Sequence, residues 1–466
     1  MKKTIYLIFN ATLVALLISC SMQDNKEKHW EELLSGNDFT GWHQVGGEAN
    51  YEIADGVITG KTILNTPNSF MVTDKKYSDF ILEFEVMNHD LLNTGVQIRS
   101  NSIPEYKDGR FHGYQVEIED PARDRNWTGG IYDEARRGWI YTLDNNPEAR
   151  KAYKKDAWNT IRVEAIGDTI KTWVNDIPAA HLIDNMTHEG HIGLQVHGIG
   201  DDEEKEDIWV KWRNIKIMTD SGAIRNNTTS TPVEAQTYQY NVLSEEEKEN
   251  GWKLLFDGKT TEGWRGAYMD HFPEKGWIVH NAAITVLESG GAESKHGGDI
   301  VTKDEYTNFE LQVDFRLTKG ANSGIKYYVT EKEKNNPGSA YGLEYQILDD
   351  KHHPDAKKGR NGNRTLGSLY DMIPAPEDKP VKETGKWNHA RIYSSNDTVI
   401  YYLNGEKLID FVRGSDHFRE LVAISKYSDP KFNTHNRFGE AKKGHILLQD
   451  HGNRVSFRNI KIKTLK

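Results

Sequence analysis

Polar side chains occupy every second position in several short segments, with apolar side chains between them. Successive side chains of a β-strand point to opposite sides of a sheet, so this pattern predicts strands with one polar face. If the strands share a sheet, that face gathers carboxylates, imidazoles, amides and cations, the groups that proton transfer and polar-ligand binding use. The residues are Gln97, Arg99, Gln115, Glu117, Gln195 and His197, then Lys326, Tyr328, Glu344, Gln346, Gln449 and His451.

The make-up of this polar face favours a binding groove. An antiparallel sheet commonly exposes a polar face to water, and such a face is usually rich in Thr, Lys and Ser. Here Glu, His and two Gln come together with few Thr in each half of the chain. We therefore interpret the face as a groove for a polar ligand, with an ordinary solvated surface as the alternative.

Two further segments combine aromatic and charged residues in a way that suits a sugar. Sugars present apolar C–H faces and polar rims, which aromatic rings with charged neighbours complement. The alternative for Trp127 and Trp139 is that they pack at the rim of the fold. The residues proposed to overhang the groove are Trp127, Tyr132, Asp133, Arg136 and Arg137 in the first half and Tyr370 in the second.

The polar segments recur because the chain repeats itself. Residues 72–82 match 301–311, 93–96 match 322–325, 112–117 match 341–346, and 190–198 match 444–452. Each copy also closes on an Arg-Asn-Ile-Lys-Ile strand, at 213–217 and 458–462. We predict one domain at 28–218, a linker at 219–243 that is rich in Thr, Asn, Ser and Gln, and a second domain at 244–466.

Short alternating strands bounded by Gly, Asn and Asp turns predict an all-β fold in each copy. Residues 80–86 and 309–315 alternate with a period of two, which is typical of a half-buried strand. Many such strands indicate a sandwich or jelly roll. The alternative, a β-propeller, requires a shorter repeat and more blades.

The N-terminus predicts export and lipid attachment. Lys2 and Lys3 precede an apolar run over residues 5–18, and Cys20, the only cysteine, follows directly in a segment that resembles the bacterial lipobox. We expect residues 1–20 to be a signal peptide and Cys20 to carry lipid, tethering the protein to the membrane on the periplasmic side or at the cell surface. A single cysteine rules out an intrachain disulfide. The net charge of −11 argues against nucleic acid as a partner.

The ordered motifs resemble the 3-keto-disaccharide hydrolase domain family. They run Asp-Gly and Gly-Trp, Asn-Ser-Gly-Ile, Gly-x-Glu-x-Gln, Gly-Ser-x-Tyr, Trp-Asn, Asn-Gly and Leu-Gln-x-His-Gly. The resemblance covers both copies and implies concanavalin-A-like (laminin-G-like) jelly rolls, frequent in lipoproteins of Bacteroidetes-type bacteria. The first copy departs from it: Asn-Thr-Gly replaces Asn-Ser-Gly, Asn175-Asp176 replaces Asn-Gly, and Gln115 and Glu117 reverse the order of Glu344 and Gln346.

The resemblance implies cleavage of glycosides already oxidised to a ketone at C3. A carboxylate, Glu117 or Glu344, removes the acidified C2 proton, the anomeric substituent leaves, and water adds to the enone. His197 or His451 donates a proton or binds a metal, and Arg99 or Lys326 stabilises the enolate. If only one copy is catalytic, the first is preferred, because Arg99 is the better fixed cation, and the other copy would bind or orient the sugar. The substrate-binding candidates are Gln97, Gln115, Trp127, Tyr132, Asp133, Arg136, Arg137, Gln195, Asn322, Tyr328, Gln346, Tyr370 and Gln449.

Several alternatives stay open at the level of sequence. A conventional glycosidase could use Glu117 with Glu119, although the second copy has Leu348 where Glu119 stands. A non-catalytic carbohydrate-binding lipoprotein would need no base. No cofactor is identified; a divalent metal is left open at His197 or His451, or at His352-His353-Pro354-Asp355. The expected partners are a glycoside or oligosaccharide substrate and a sugar 3-dehydrogenase acting upstream.

Overall fold

The computed structural model describes residues 29–34, 36–119, 122–331, 340–432 and 437–465. The chain divides into two compact units, residues 1–239 and 240–466. Cys20 and the predicted signal peptide lie outside the described residues. Within the described ranges, no helix is both long and apolar enough to cross a membrane.

The first unit consists mainly of short strands. Its helix α1 spans Ser221–Asn227, and 3-10 turns lie at Lys107–Gly109, Ala149–Lys151 and Glu203–Lys205. The strands are β1 (Glu31–Glu32), β2 (Trp42–Gly46), β3 (Asn50–Ala54), β4 (Val57–Lys61), β5 (Ser69–Thr73), β6 (Phe80–Asn88), β7 (Thr94–Asn101), β8 (His112–Ile118), β9 (Ile131–Glu134), β10 (Gly138–Tyr141), β11 (Asn159–Ile166), β12 (Thr169–Val174), β13 (Ile177–Asp184), β14 (His191–Val196), β15 (Trp209–Met218) and β16 (Gln236–Tyr238).

These strands form two sheets that enclose one apolar core. The larger sheet has the order β16-β13-β12-β11-β6-β15-β4-β3, with β1 beside β15, and the smaller has the order β10-β9-β8-β7-β14-β5-β2. Phe84 and Trp212 of the larger sheet join Val96, Val116 and Leu194 of the smaller sheet in one hydrophobic cluster. This two-sheet arrangement is the predicted jelly-roll sandwich.

The second unit repeats this architecture. Helices α2 (Glu245–Glu249) and α3 (Asp416–Ala423) accompany 3-10 turns at Pro354–Lys357 and Lys426–Ser428. The larger sheet has the order β19-β20-β29-β22-β25-β26-β27, with β17 beside β29, and the smaller has the order β18-β21-β28-β23-β24. The strands are β17 (Trp252–Leu254), β18 (Trp264–Gly266), β19 (Trp277–His280), β20 (Ala283–Val286), β21 (Ile300–Thr302), β22 (Phe309–Leu317), β23 (Asn322–Thr330), β24 (Tyr341–Leu348), β25 (Trp387–Ser395), β26 (Thr398–Leu403), β27 (Glu406–Val412), β28 (His445–Leu448) and β29 (Val455–Thr464).

Two neighbouring strands of the smaller sheet of the first unit, β7 and β8, are buried on both faces. In β6 of the larger sheet, buried positions alternate with partly exposed ones, as expected for a strand that has water on one side. In β7 and β8, by contrast, every residue is buried. The side chains of these two strands on the polar outer face that the sequence predicts are therefore largely shielded from bulk water.

Most of the segment predicted as a linker belongs to the first unit. Asp220 caps α1 by accepting a hydrogen bond from the Ala223 amide at 2.8 Å, and Ile224 packs against Ile81 of the larger sheet. Strand β16 then pairs in parallel with β13 at the edge of that sheet. The linker prediction relied on polar composition, which overlooks the few apolar residues that dock the segment. The boundary between the two compact units lies between residues 239 and 240 of the chain instead.

The second unit carries an insertion immediately before its central strand β28. Residues 185–190 connect β13 to β14 in the first unit, whereas residues 413–444 connect the equivalent strands β27 and β28. The insertion holds α3 and the turn Lys426–Ser428. Its residues have no counterpart in the repeat, so comparison of the copies alone did not single them out.

Candidate functional site

A cavity of about 510 Å³ opens on the outer face of the smaller sheet in the first unit. Strands β8, β9 and β14 supply much of its lining. Five of the residues predicted to contact substrate line this cavity together: Gln115, Glu117, Tyr132, Gln195 and His197. Trp139, for which the sequence left packing at the rim as the alternative, also lines it, as do Asn93, Arg110 and Glu134, which are not among the predicted site residues. Tyr132 and Glu134 are two residues apart in β9, so strand alternation places both side chains on the same face, which could have identified Glu134.

Amide groups without partners form the floor of this face. Gln97 is fully buried and lies directly across the strand pair from Gln115. Within the described chain, neither side-chain polar atom of Gln97 or of Gln195 has a hydrogen-bond partner, and Oε1 of Gln115 also lacks one. Buried polar groups are normally satisfied. Gln115 and Gln195, which line the cavity, are therefore available to hydrogen-bond a ligand, whereas the fully buried Gln97 does not line it.

The Glu117 carboxylate is held by two amides. Asn93 Nδ2 donates to its Oε1 at 2.5 Å, and Gln115 Nε2 donates to its Oε2 at 3.0 Å. Burial raises the pKa of Glu117, although both hydrogen bonds oppose that shift. The His197 ring opens to the cavity, yet surrounding protein lowers the pKa of His197 by desolvation. Its Nδ1 lies 2.7 Å from the Gly198 carbonyl oxygen.

An aromatic wall borders the cavity. The rings of Tyr132 and Trp139 meet edge to face, 5.4 Å between centroids. The Arg125 guanidinium lies 5.0 Å from the Trp139 ring centre and forms an ion pair with Glu119. Trp127 does not line the cavity: it packs behind Trp139 and against the hydrophobic core. Its predicted contact with substrate is corrected accordingly, since the alternative of a packed aromatic holds for Trp127.

Arg99 and Tyr328 do not lie on the ligand-binding face. Each has a positive φ, 46° and 53°, at a register shift in β7 or β23. A β-bulge inserts an extra residue and breaks the alternation of side chains. Arg99 is fully buried and donates to the Ser78 and Gly167 carbonyls, each at 2.7 Å. The Tyr328 ring packs in the second core. Both predicted site roles are therefore wrong.

Asp133, Arg136 and Arg137 form an internal ion-pair network instead of a sugar-binding loop. Arg136 Nε donates to Asp133 Oδ1 at 2.7 Å, while Arg137 pairs with Asp133 and, at 2.6 Å, with Asp184. Tyr114 donates its hydroxyl to Asp184 at 2.6 Å. Asp133 follows Tyr132 in β9, so the alternation directs it to the opposite face. Paired buried charges satisfy one another, and the predicted contact with substrate is corrected.

The equivalent face of the second unit carries a row of charges. Lys326 on β23 lies directly across the strand pair from Glu344 on β24. Lys326 Nζ is 3.6 Å from Asp299 Oδ2, and all three residues are buried. Burial raises the pKa of Asp299 to about 7 and also raises the pKa of Glu344, with Lys326 opposing both shifts. Burial alone would lower the pKa of Lys326, but Asp299 and Glu344 outweigh it and raise that pKa.

The glycine of each Asn-Ser/Thr-Gly motif makes room for the residue on the facing strand. A Cβ on Gly324 would lie 2.6 Å from Glu344 Oε1, and one on Gly95 would lie 2.6 Å from Gln115 Cδ. Such distances are far below van der Waals contact. The glycine therefore lets a carboxylate or amide lie flat across the neighbouring strand.

The remaining predicted residues of the second unit surround Glu344. Gln449 Nε2 donates to Glu293 at 3.2 Å, while Gln449 Oε1 and His451 Nδ1 are buried without a hydrogen-bond partner in the described ranges. The His451 ring meets His353 edge to face at 6.0 Å. Gln346 donates weakly to Asn322 at 3.4 Å.

Lys426, from the insertion, is a site residue that the sequence did not reveal. Its Nζ lies 4.2 Å from the Tyr370 ring centre and 5.2 Å from that of Tyr427. Burial lowers the pKa of Lys426, and the charge of Glu344 is the largest influence opposing that shift. Tyr370, predicted to bind substrate, thus holds a cation near the carboxylate, and donates its hydroxyl to Asp355 at 2.8 Å.

The structure does not bring together a metal-binding cluster among the residues it describes. No group of three or more His, Cys, Asp or Glu side chains there has a suitable arrangement. His352 Nδ1 instead lies 2.8 Å from Asp349 Oδ2, and His353 contacts His451.

Gln97 and Arg99 give a matched pair of variants two residues apart. Arg99→Met removes a buried guanidinium that serves two carbonyls, so we expect the first unit to lose about 2–4 kcal/mol of unfolding free energy. Gln97→Leu removes buried amide atoms that have no partner, so we expect that free energy to stay equal or rise. Urea unfolding followed by tryptophan fluorescence measures both. An equal loss in the two variants would contradict the assignment.

Known proteins share this domain. The 3-keto-alpha-glucoside-1,2-lyase-like domain family matches residues 29–218 and again residues 251–463. A 3-keto-disaccharide hydrolase of Bacteroides thetaiotaomicron is 39% identical over 231 residues, which are 46% of this chain and 79% of that protein.

Two crystal structures from Parabacteroides distasonis, both with a provisional glycosyl hydrolase description, are also similar. One is 33% identical and covers 49% of this chain and 100% of its own, with a TM-score of 0.42. The other is 31% identical and covers 46% and 99%, with a TM-score of 0.35. The family match and the Bacteroides relative support a carbohydrate-cleaving enzyme of the glycoside hydrolase or lyase class. The chain belongs to the 3-keto-alpha-glucoside-1,2-lyase-like domain family, whose domain it carries twice.

Proposed function

We propose that the protein cleaves glycosides whose sugar is already oxidised to a ketone at C3, and that the second unit performs the reaction. One observation carries the proposal: Glu344 is a buried carboxylate that accepts no hydrogen bond from the described residues, and it lies directly across from a buried lysine. A base needs a free lone pair and a pKa shifted toward neutrality. Glu344 fits both requirements, and burial raises its pKa.

The proposed reaction begins with proton transfer. A ketone at C3 acidifies the hydrogen on C2, so Glu344 takes that proton and the C–H electron pair forms an enolate. The enolate then expels the substituent at C1: the C1–O bond breaks, a C1=C2 double bond forms, and the leaving oxygen takes up a proton. Water adds across the enone, oxygen to C1 and hydrogen to C2, so that the sum is hydrolysis.

Two lysines have distinct proposed roles. Lys326 is almost fully buried and interacts with Asp299 and with the Ala340 carbonyl oxygen at 3.3 Å, so it tunes the charge of Glu344 rather than reaching substrate. Lys426 belongs to the insertion, and its Nζ lies over the aromatic ring of Tyr370. We assign Lys426 to the enolate oxygen, since a preorganised cation stabilises charge that develops in the transition state. His451 is the proposed proton donor to the leaving oxygen.

The structure removes the reason for preferring the first unit as the catalytic one. That preference rested on Arg99, whose guanidinium donates to the Ser78 and Gly167 carbonyls. Glu117 is also less suited as a base than Glu344, because Asn93 and Gln115 already donate to its carboxylate. The pairing of Glu117 with Glu119 in a conventional glycosidase is disfavoured too, because the Trp127 amide donates to Glu119 at 2.7 Å and Arg125 pairs with it.

Glu344→Gln tests the proposed base. We expect it to lower kcat/KM for a 3-keto-disaccharide by about 10²–10⁴-fold, Glu117→Gln to lower it far less, and the exposed Glu406→Gln to leave it unchanged. Because burial raises the pKa of Glu344, its active carboxylate form is lost as pH falls, so the acid limb of kcat/KM should lie above the ordinary value of 4.5. Equal turnover by Glu344→Gln and wild type would refute the assignment.

Cleavage of the unoxidised disaccharide would instead indicate a conventional glycosidase, and binding of both sugars without turnover would indicate a binding protein.

Lys426→Met tests the proposed cation. Loss of one preorganised charge donor should lower kcat for the 3-keto substrate by about 10²–10³-fold, with a smaller change in KM. Lys426→Arg should recover part of that loss because it keeps the charge. Lys443→Met, an exposed residue of the same insertion, is the control. The role is wrong if the Lys426 and Lys443 variants turn over equally fast.

We also propose that lipid on Cys20 anchors the protein at a bacterial membrane, where a sugar 3-dehydrogenase supplies the ketone. The proposal rests on the apolar run and lone cysteine at the N-terminus. In a bacterial host, Cys20→Ala should move the protein from the membrane fraction to the soluble fraction and abolish the acyl mass found by mass spectrometry. Retention of the variant in the membrane fraction would exclude this anchor.

A further inference from the structure

The two units match in shape and differ in charge along one row of the smaller sheet. Met71 pairs with Leu194 in the first unit as Ile300 pairs with Leu448 in the second, so the preceding residues, Phe70 and Asp299, are equivalent. Gln97 and Gln115 face each other where Lys326 and Glu344 do in the second unit. The second unit thus has Asp299, Lys326 and Glu344 in this row, and the first unit has Phe70, Gln97 and Gln115 at the equivalent positions.

The uncharged row leaves the first unit with hydrogen-bonding groups and without the acid–base pair. Phe70 packs against Phe111, 5.0 Å between ring centroids, where the buried carboxyl group of Asp299 stands in the second unit. The unpartnered amide oxygens of Gln115 and Gln195, which line the cavity, both require donors. The orientation of the Gln115 amide is fixed, because its nitrogen donates to Glu117.

A sugar hydroxyl matches these amides better than a ketone does. A hydroxyl both donates and accepts hydrogen bonds, whereas a ketone oxygen only accepts and leaves the amide oxygens unsatisfied. In the second unit, by contrast, the Lys426 ammonium is a donor that suits a ketone oxygen. The aromatic wall of Tyr132 and Trp139 supplies the apolar surface on which a pyranose ring can lie.

Three cations that line this cavity are engaged by acids of the same unit. Arg110 donates to Glu134 at 2.7 Å, Arg125 pairs with Glu119, and Lys205 lies 3.2 Å from Asp202. Desolvation lowers the pKa of His197, which favours the neutral ring. These pairings suit a neutral ligand more than an anionic one.

The space exceeds one sugar ring. A second cavity of about 660 Å³ shares Asn68, Arg110 and Gly198 with the first. The two cavities are therefore adjacent, so together they offer room for more than one sugar ring of an oligosaccharide.

We propose that the first unit is a non-catalytic binding site for a neutral, unoxidised oligosaccharide, with one pyranose against Trp139 and the buried amides. The statement that cleavage occurs elsewhere rests on the proposed function; the binding site itself does not. A binding unit that recognises unoxidised sugar raises the effective concentration of glycan for a catalytic unit on the same chain.

Calorimetric titration of the full chain tests the binding site. The probes are gluco-, galacto- and manno-configured disaccharides and trisaccharides, each without a keto group. At least one probe should bind, Trp139→Ala and Gln195→Ala should weaken it by at least about tenfold, and Glu344→Gln should bind as wild type does. Trp158→Ala is the control, since Trp158 stacks on Arg213 at 4.2 Å outside the cavity. Unchanged far-UV circular dichroism verifies that each variant folds.

Several outcomes would overturn the inference. They are the absence of binding by every probe, an equal dissociation constant for Trp139→Ala and Trp158→Ala, and loss of probe binding in Glu344→Gln alone. Loss of 3-keto cleavage in Glu117→Gln as complete as in Glu344→Gln would also overturn it, because the first unit would then be catalytic. If wild type cleaves no 3-keto-glycoside, the proposed function fails, while the probe titrations still decide the binding site.

Discussion

Burial of the outer face of the smaller sheet is the constraint on which the candidate sites depend. A half-exposed β-sandwich leaves its polar face to water, but in β8 every residue is buried. Polar groups without water must be paired with one another or with a ligand, since an unsatisfied buried group costs about 1–3 kcal/mol. The arrangement of charge on this face therefore carries functional information that a solvated face would lack.

The two units meet this constraint in different ways. The second places opposite charges there: Lys326 lies 3.6 Å from Asp299 and directly across the strand pair from Glu344, while Gln449 Oε1 and His451 Nδ1 have no hydrogen-bond partner in the described ranges. The first uses amides, and Gln97 and Gln195 remain without partners inside the described chain. Replacing a buried ion pair by neutral residues is often neutral or favourable for stability. The charged row of the second unit is therefore better explained by the proposed proton transfer than by stability.

The sequence was sufficient for the fold class and for much of the polar face, because side-chain alternation follows directly from strand geometry. It failed where a local backbone feature changed the alternation, as at Arg99, whose positive φ belongs to a bulge. Asp133 shows a different error: its side chain was grouped by sequence proximity with Tyr132, although adjacent strand residues face opposite ways. Comparison of the repeats could not identify Lys426, because the insertion that carries it exists in one copy only.

The repeat motif acquires a physical meaning from the facing strand. The glycine at 324 is required because Glu344 lies flat over it, and a Cβ would come within 2.6 Å of the carboxylate. The same glycine persists at 95, where the facing residue is the neutral Gln115. The space for a group that crosses the strand is thus kept in both copies, while the charge of that group is kept in one. A sugar-binding site that does not transfer a proton needs the space for this side chain but not its charge. The difference between Gln115 and Glu344 therefore agrees with the roles proposed for the two units.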